Sequence, residues 1–178
     1  MVMLLIAALG LAVEPEIEPL PEPVVLDRIL LVVGERIITL SDLQLEMVLS
    51  QRDQSPVPVL QDRQQEPLQV LAERAIIRGL AGEMEIYQPS TREVLARLNA
   101  LKAQWTTEEY NDFTQHHGLD ETQLSSLMYT RMVVERYIHR NIGRVIESTG
   151  GSEAAYQQRY DTWIAAEFER NPPRYVER

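Results

Sequence analysis

The stretch Asp27-Arg28-Ile29-Leu30-Leu31-Val32-Val33-Gly34-Glu35-Arg36-Ile37-Ile38-Thr39-Leu40-Ser41-Asp42-Leu43 decides the fold class. Two runs rich in β-branched residues flank Gly34-Glu35, and glycine at the first turn position suits a type II′ turn, so a short hairpin is expected here. Strand signals end with Leu40. Ser41 is followed three residues later by Gln44, a capping-box pattern that opens a helix through about Arg52.

Working outward, the same device recurs. Ser90 with Glu93 opens a helix to about Ala103, Thr106 with Glu109 one that ends near Gly118, and Asp120 with Gln123 a long one to about Ile142. The stretch SPVPVL after Gln54 reads as a Pro-broken loop. A helix follows from about Asp62 or Glu66 to Ile86, with Pro67 tolerable only in its first turn. Gly150-Gly151-Ser152 separates a last helix, from Glu153 to about Arg170, which Pro172-Pro173 ends. The fold class is therefore mainly α: a multi-helix domain with a short N-terminal hairpin and a closing C-terminal helix.

At 100° per residue, Leu127, Val134, Ile138 and Ile142 fall within about 80° of Leu124 and make a core stripe, whereas Tyr129, Val133 and Tyr137 lie opposite. Such a helix is either central in a bundle or offers its second face to another molecule. In the last helix Tyr156, Tyr160, Trp163, Ile164 and Phe168 share one face, which docks on the rest of the domain or on a partner.

The chain has 178 residues with 27 acidic and 17 basic side chains, a net charge of −10, and no cysteine. Cysteine chemistry of every kind is excluded, and a phosphate-neutralising nucleic-acid binder would be basic. Glu14, Glu16, Glu18 and Glu22 supply four of the ten surplus charges, and residues 1–23 hold no Lys or Arg, which leaves −6 on residues 24–178. Residues 1–12 are apolar and uncharged, too short for a bilayer span, and Gly10-Leu11-Ala12 has the small-x-small form of a signal-peptidase site. They read as a signal peptide cleaved after Ala12; a buried N-terminal helix or strand is the other reading. Residues 13–24, rich in Pro and Glu, read as a stiff solvated spacer. The domain proper is residues 25–178. Export to the periplasm is the expected location, without stable membrane insertion after processing.

Chemistry is sparse. His116, His117 and His139 lack metal-ligand spacing, so no metal is expected. Carboxylate pairs such as Glu108-Glu109 and Asp120-Glu121 sit in helix first turns, where the helix dipole and solvent account for them. No phosphate loop or nucleophile elbow is present, no cofactor is implied, and the expectation is a protein that is not an enzyme.

The pattern D-x-I-x-x-V-V-G-x-x-I-I-T-x-S-D-L of Asp27 to Leu43, running straight into a capped helix, resembles the opening of the SurA-type periplasmic chaperones. The run from Leu71 through Met84 is similar to that family's long second helix, and Ser90 to Ile142 to the remainder of its N-terminal module. The resemblance covers about residues 25–142. Family members carry parvulin-type isomerase domains between this module and a closing helix, whereas here only about ten residues, 143–152, lie between. The resemblance thus implies a chaperone core without its isomerase domains, closed by the helix that bears Tyr160, Trp163, Ile164 and Phe168.

The expected function is that of an ATP-independent chaperone-like module that binds unfolded outer-membrane or secreted polypeptides in an apolar groove. Helix phase nominates Met47 and Val48 on the first helix, Tyr87 and Trp105 near helix ends, and Tyr129, Met132, Val133 and Tyr137 on the long helix, each of which could instead serve the core. The other reading is an assembly protein that docks one specific partner through its aromatic C-terminal helix.

Overall fold

Strand β1 (Ile29–Val33) and strand β2 (Arg36–Thr39) form the expected antiparallel hairpin, with Leu31 opposite Ile38 and Val32 opposite Ile37. The structure is a computed structural model that describes residues 27–61, 63, 66–144 and 150–176. The expected signal peptide and spacer lie outside the described residues, as does Asp62. At the hairpin turn Gly34 has φ 58°, and among the described residues no non-glycine has positive φ, the pattern of signs a type II′ turn requires. Leu31, Val33 and Ile38 point to one face and bury against Ala72 and Ile76 of α3 (Pro67–Ala81).

Helix α1 (Leu40–Arg52) begins directly after the strand ends, and its cap is Thr39 rather than Ser41. Asp42 N–H donates to Thr39 Oγ1 (3.3 Å) and Thr39 N–H to Asp42 Oδ2 (3.0 Å). The sequence holds two overlapping box patterns. The one at Thr39 wins because β1 pairing ends there, with Thr39 opposite Ile29 and Leu40 N–H on the Arg28 carbonyl (2.7 Å). A single short helix, α2 (Pro58–Gln61), interrupts the Pro-rich loop. Helix α3 carries Pro67 in its first turn but stops at Gly82, whose φ is 52°, and Glu85–Tyr87 form a separate 3₁₀ turn. The expected extension to Ile86 therefore fails: its apolar residues belong to two elements divided by a glycine at positive φ.

Helices α4 (Thr91–Lys102), α5 (Thr107–His117) and α6 (Glu121–Ile138) open at the capping boxes of Ser90, Thr106 and Asp120, as expected. The chain winds on past α6 through a π turn (His139–Gly143). Helix α7 (Glu153–Arg170), capped by Ser152, ends before the Pro pair. Strand β3 (Arg174–Tyr175) then lies antiparallel to the free edge of β1, giving the order β2-β1-β3. Strand content thus does not end at Leu40, as the sequence signals suggest. Two residues carry no alternation to read, so β3 follows from where the Pro pair sends the chain rather than from its own pattern.

Helix α6 is central. Leu124 and Met128 pack with Leu49 of α1, Leu98 and Leu101 of α4 and Phe113 of α5. Val134, Ile138 and Ile142 pack with Val59 and Leu60 of α2, Ile77 of α3, and Tyr160 and Ile164 of α7. The aromatic face of α7 is thus used within the chain: Tyr160 is fully buried, Ile164 nearly so, and Trp163 and Phe168 pack partly buried against the same cluster. The molecule is mainly helical with one small antiparallel sheet. Among the described residues no helix is long and apolar enough to cross a membrane.

Candidate functional site

The residues nominated from helix phase do not line one groove. Met47 is half exposed. Val48 and Trp105 share an open depression with Arg52, Phe113 and His117, in which the Trp105 and Phe113 rings are 4.5 Å apart and the Arg52 guanidinium is 5.8 Å from the Trp105 ring. His117 titrates below its ordinary value because it is partly buried and faces His116. Met132 and Tyr129 pack partly buried on the α4 and α5 cluster. Tyr87 and Val133, nominated for the groove with a core role as the other reading, are buried: Tyr87 and Ala81 pack on Val133 at the second face of α6, and Tyr129 and Tyr137 pack against them. The Tyr87 and Tyr137 rings are 5.0 Å apart, and Asn141 Nδ2 donates to Tyr87 Oη at 3.0 Å.

A different depression has the character of a binding cleft. It opens between β2, α1, α3 and α6, has a volume of about 110 Å³, and is walled by Ile38, Leu45, Leu49, Leu71, Ala75 and Leu127. Helical spacing puts these side chains there. Leu45 and Leu49 are one turn apart on α1, as Leu71 and Ala75 are on α3.

Its floor is ionic. Glu46, Arg74 and Arg131 line the cleft, and each is at least nine-tenths buried. Arg131 Nη1 donates to Glu46 Oε2 (2.8 Å) and Nη2 to the Asp53 carbonyl (3.0 Å), while Nε lies 2.8 Å from Asp53 Oδ2 but out of line for a hydrogen bond. Arg74 Nη1 donates to the same Glu46 oxygen. Asp53 also receives Arg97 at both oxygens (2.8 and 2.9 Å), and Arg97 continues to Glu135. Arg74, Arg97 and Arg131 therefore balance Glu46, Asp53 and Glu135, tying α1, α3, α4 and α6 together. Burial, then the neighbouring Arg131 charge, lowers Arg74 to about 10. Arg97 is raised instead: burial opposes its charge, but the hydrogen bonds it donates to Glu135 and Asp53 outweigh it. Among the described residues, Glu46 Oε1, Arg74 Nε and Arg131 Nε are buried without a hydrogen-bond partner. The same three residues also border a chamber of about 10 Å³ on the side of Ser50 and Ser55.

Another buried carboxylate, apart from this network, holds α7 in place. Glu73 on α3 is fully buried; its Oε1 accepts from Gln69 (2.9 Å) and Arg63, and its Oε2 from the Tyr160 hydroxyl (2.9 Å). Arg63 also reaches Asp161 on α7, and its guanidinium lies 5.4 Å from the Tyr160 ring. Burial raises Glu73, and burial followed by the Glu73 charge raises the Tyr160 hydroxyl well above its usual range.

Helix phase and apolar character nominate none of these charged residues, although the sequence carries a signal for them. On α6, Arg131 and Glu135 lie about 20° on either side of Leu124 at 100° per residue, so both fall on the core stripe itself. Among the described residues no group of three or more His, Cys, Asp or Glu side chains is placed to hold a metal ion. Compared with known proteins, the chain matches no family model, no curated protein and no solved structure.

Proposed function

We propose that the protein is an exported, ATP-independent chaperone-like module of the SurA type that binds unfolded outer-membrane or secreted polypeptides, without isomerase chemistry. The observation that carries this reading is the apolar-walled cleft between β2, α1, α3 and α6, which has room for a side chain of a passing polypeptide. Two features of the chain support it: the hairpin that runs directly into a capped α1, and α7 as the helix that completes the core. Exposed Ile37 on β2 and Met47 on α1 add apolar contact area on elements that form the cleft. Methionine adapts its shape to different partners, which suits unselective recognition. An affinity of about 1 μM, near −8 kcal/mol, holds a client and still releases it.

An unfolded β-barrel protein diluted into buffer gives the test by light scattering. The expected result is suppressed aggregation at several-fold molar excess of the protein, without nucleotide. Undiminished aggregation at that excess would overturn the reading.

A further inference from the structure

We propose that the cleft is a receptor for an apolar carboxylate, with Arg74 taking the anion and the space between Leu45, Leu71 and Leu127 taking the apolar body. The proposal rests on the polypeptide-binding reading for its natural source, the C-terminal residue of a bound chain; a free apolar acid offers the same chemistry.

Arg74 is poorly coordinated for a buried cation. A guanidinium carries five N–H donors in a planar fork that matches a carboxylate. Arg74 is 9% exposed, yet among the described residues it makes one hydrogen bond, from Nη1 to Glu46 Oε2, and that oxygen is already shared with Arg131. Its Nε is buried and, among the described residues, without a hydrogen-bond partner. Such a cation is costly unless a further anion shares the site.

The lining as a whole points the same way. Arg36, Arg74, Arg78 and Arg131 face the cleft against Asp42 and Glu46, an excess of positive charge in a protein of net charge −10. Asp42 is engaged in the α1 cap, Arg78 reaches Glu83 and Arg131 is paired with Asp53 as well as Glu46, so of the two buried cations, Arg74 and Arg131, Arg74 is the one left with a single, shared carboxylate oxygen. Their mutual repulsion, which with burial depresses Arg74, would be relieved by a bound anion.

Size limits the apolar part. A dry apolar cavity of about 150 Å³ takes a benzene-sized molecule. A cleft of about 110 Å³ has room for a branched side chain of about four or five carbons.

Calorimetric titration of the full chain tests this with 4-methylpentanoate against 4-methylpentanamide, and with a hexapeptide ending in leucine whose C-terminus is free or amidated. The expected result is saturable binding of the acid, with the amide at least about tenfold weaker, the scale of one charge-assisted hydrogen bond. The free-ended peptide should lead its amidated form by a similar factor. Ala75→Leu, which fills the cleft and leaves every ion pair in place, should weaken the acid by about tenfold. Equal binding of acid and amide, no saturable binding of the acid, or unchanged binding to Ala75→Leu would overturn the proposal. Amidated and free peptides that bind alike while aggregation is still suppressed would overturn it and leave the chaperone reading standing. Binding of the acid without any peptide binding would support the carboxylate site and remove the polypeptide as its source.

Discussion

Replacing Glu46 with leucine should cost about 3 to 5 kcal/mol of unfolding free energy, because it strips a buried arginine of its carboxylate partner. In the folded chain Glu46 Oε2 receives both Arg74 and Arg131. Arg131 retains Asp53 after the change, through its carbonyl and its carboxylate, whereas Arg74 retains no hydrogen bond among the described residues. For a domain of this size the loss should appear as a fall in melting temperature of roughly 10 °C. The diagnostic variant is the double replacement Glu46→Leu with Arg74→Met. If the cost of the single change is an uncompensated buried charge, removing that charge should restore roughly 1 to 3 kcal/mol, a positive coupling in a double-mutant cycle. Additive losses in the two single variants would show that the pair is not coupled as the geometry requires. The measurement is equilibrium denaturation of the four forms under identical salt.

The second large effect lies at the closing helix. Tyr160→Ala should destabilise by about 3 to 5 kcal/mol, since it removes a fully buried ring from the cluster formed with Val59, Ile77 and Val134. It also leaves Glu73 Oε2 without its donor. Tyr160→Phe separates the two contributions: the ring remains, and the lost hydroxyl should cost about 1 to 3 kcal/mol by leaving a buried carboxylate oxygen unpaired. Trp163 is a milder case than the fully buried Tyr160, because its ring lies partly buried at the edge of the cluster, 5.8 Å from Tyr160 and 5.9 Å from Tyr137. If Tyr160→Ala unfolded with wild-type stability, α7 would not be part of the cooperative core. The same series, followed by urea denaturation, reads that outcome directly.

The parts of this fold that are legible in the sequence are those in which a local pattern has one physical solution. Ser90, Thr106 and Asp120 each stand three residues before Glu93, Glu109 and Gln123, and each opens a helix where the box says it should. The same logic misplaces the first cap, because Thr39 and Ser41 both head acceptable boxes and only the end of the β1 ladder chooses between them. Strand β3 is beyond its reach: two residues draw their pairing from a partner far away in sequence. For the candidate site the difficulty is different. Phase alone tells which α6 residues share a face, but not that the 3₁₀ turn and the end of α3 cover the face with Val133. Apolar residues on a helix face say little about a site, whereas the unusual residues here are the charged ones at core positions, Glu46, Arg74, Arg131 and Glu135. A buried charge must be paired, so a charge on an apolar stripe points to a partner on another element. That signal, present in the α6 sequence, leads to the cleft.

On the chaperone reading, unfolded polypeptide is held in the cleft rather than on some other apolar surface. A photoreactive phenylalanine analogue placed at Leu45 or Thr130, both lining the cleft, and at exposed Leu95 on α4 as a control, tests it in the presence of an unfolded β-barrel protein. Strong client adducts are expected from Leu45 and Thr130 and few from Leu95. Adducts of equal yield from Leu95, or none from the cleft positions while aggregation is still suppressed, would contradict it.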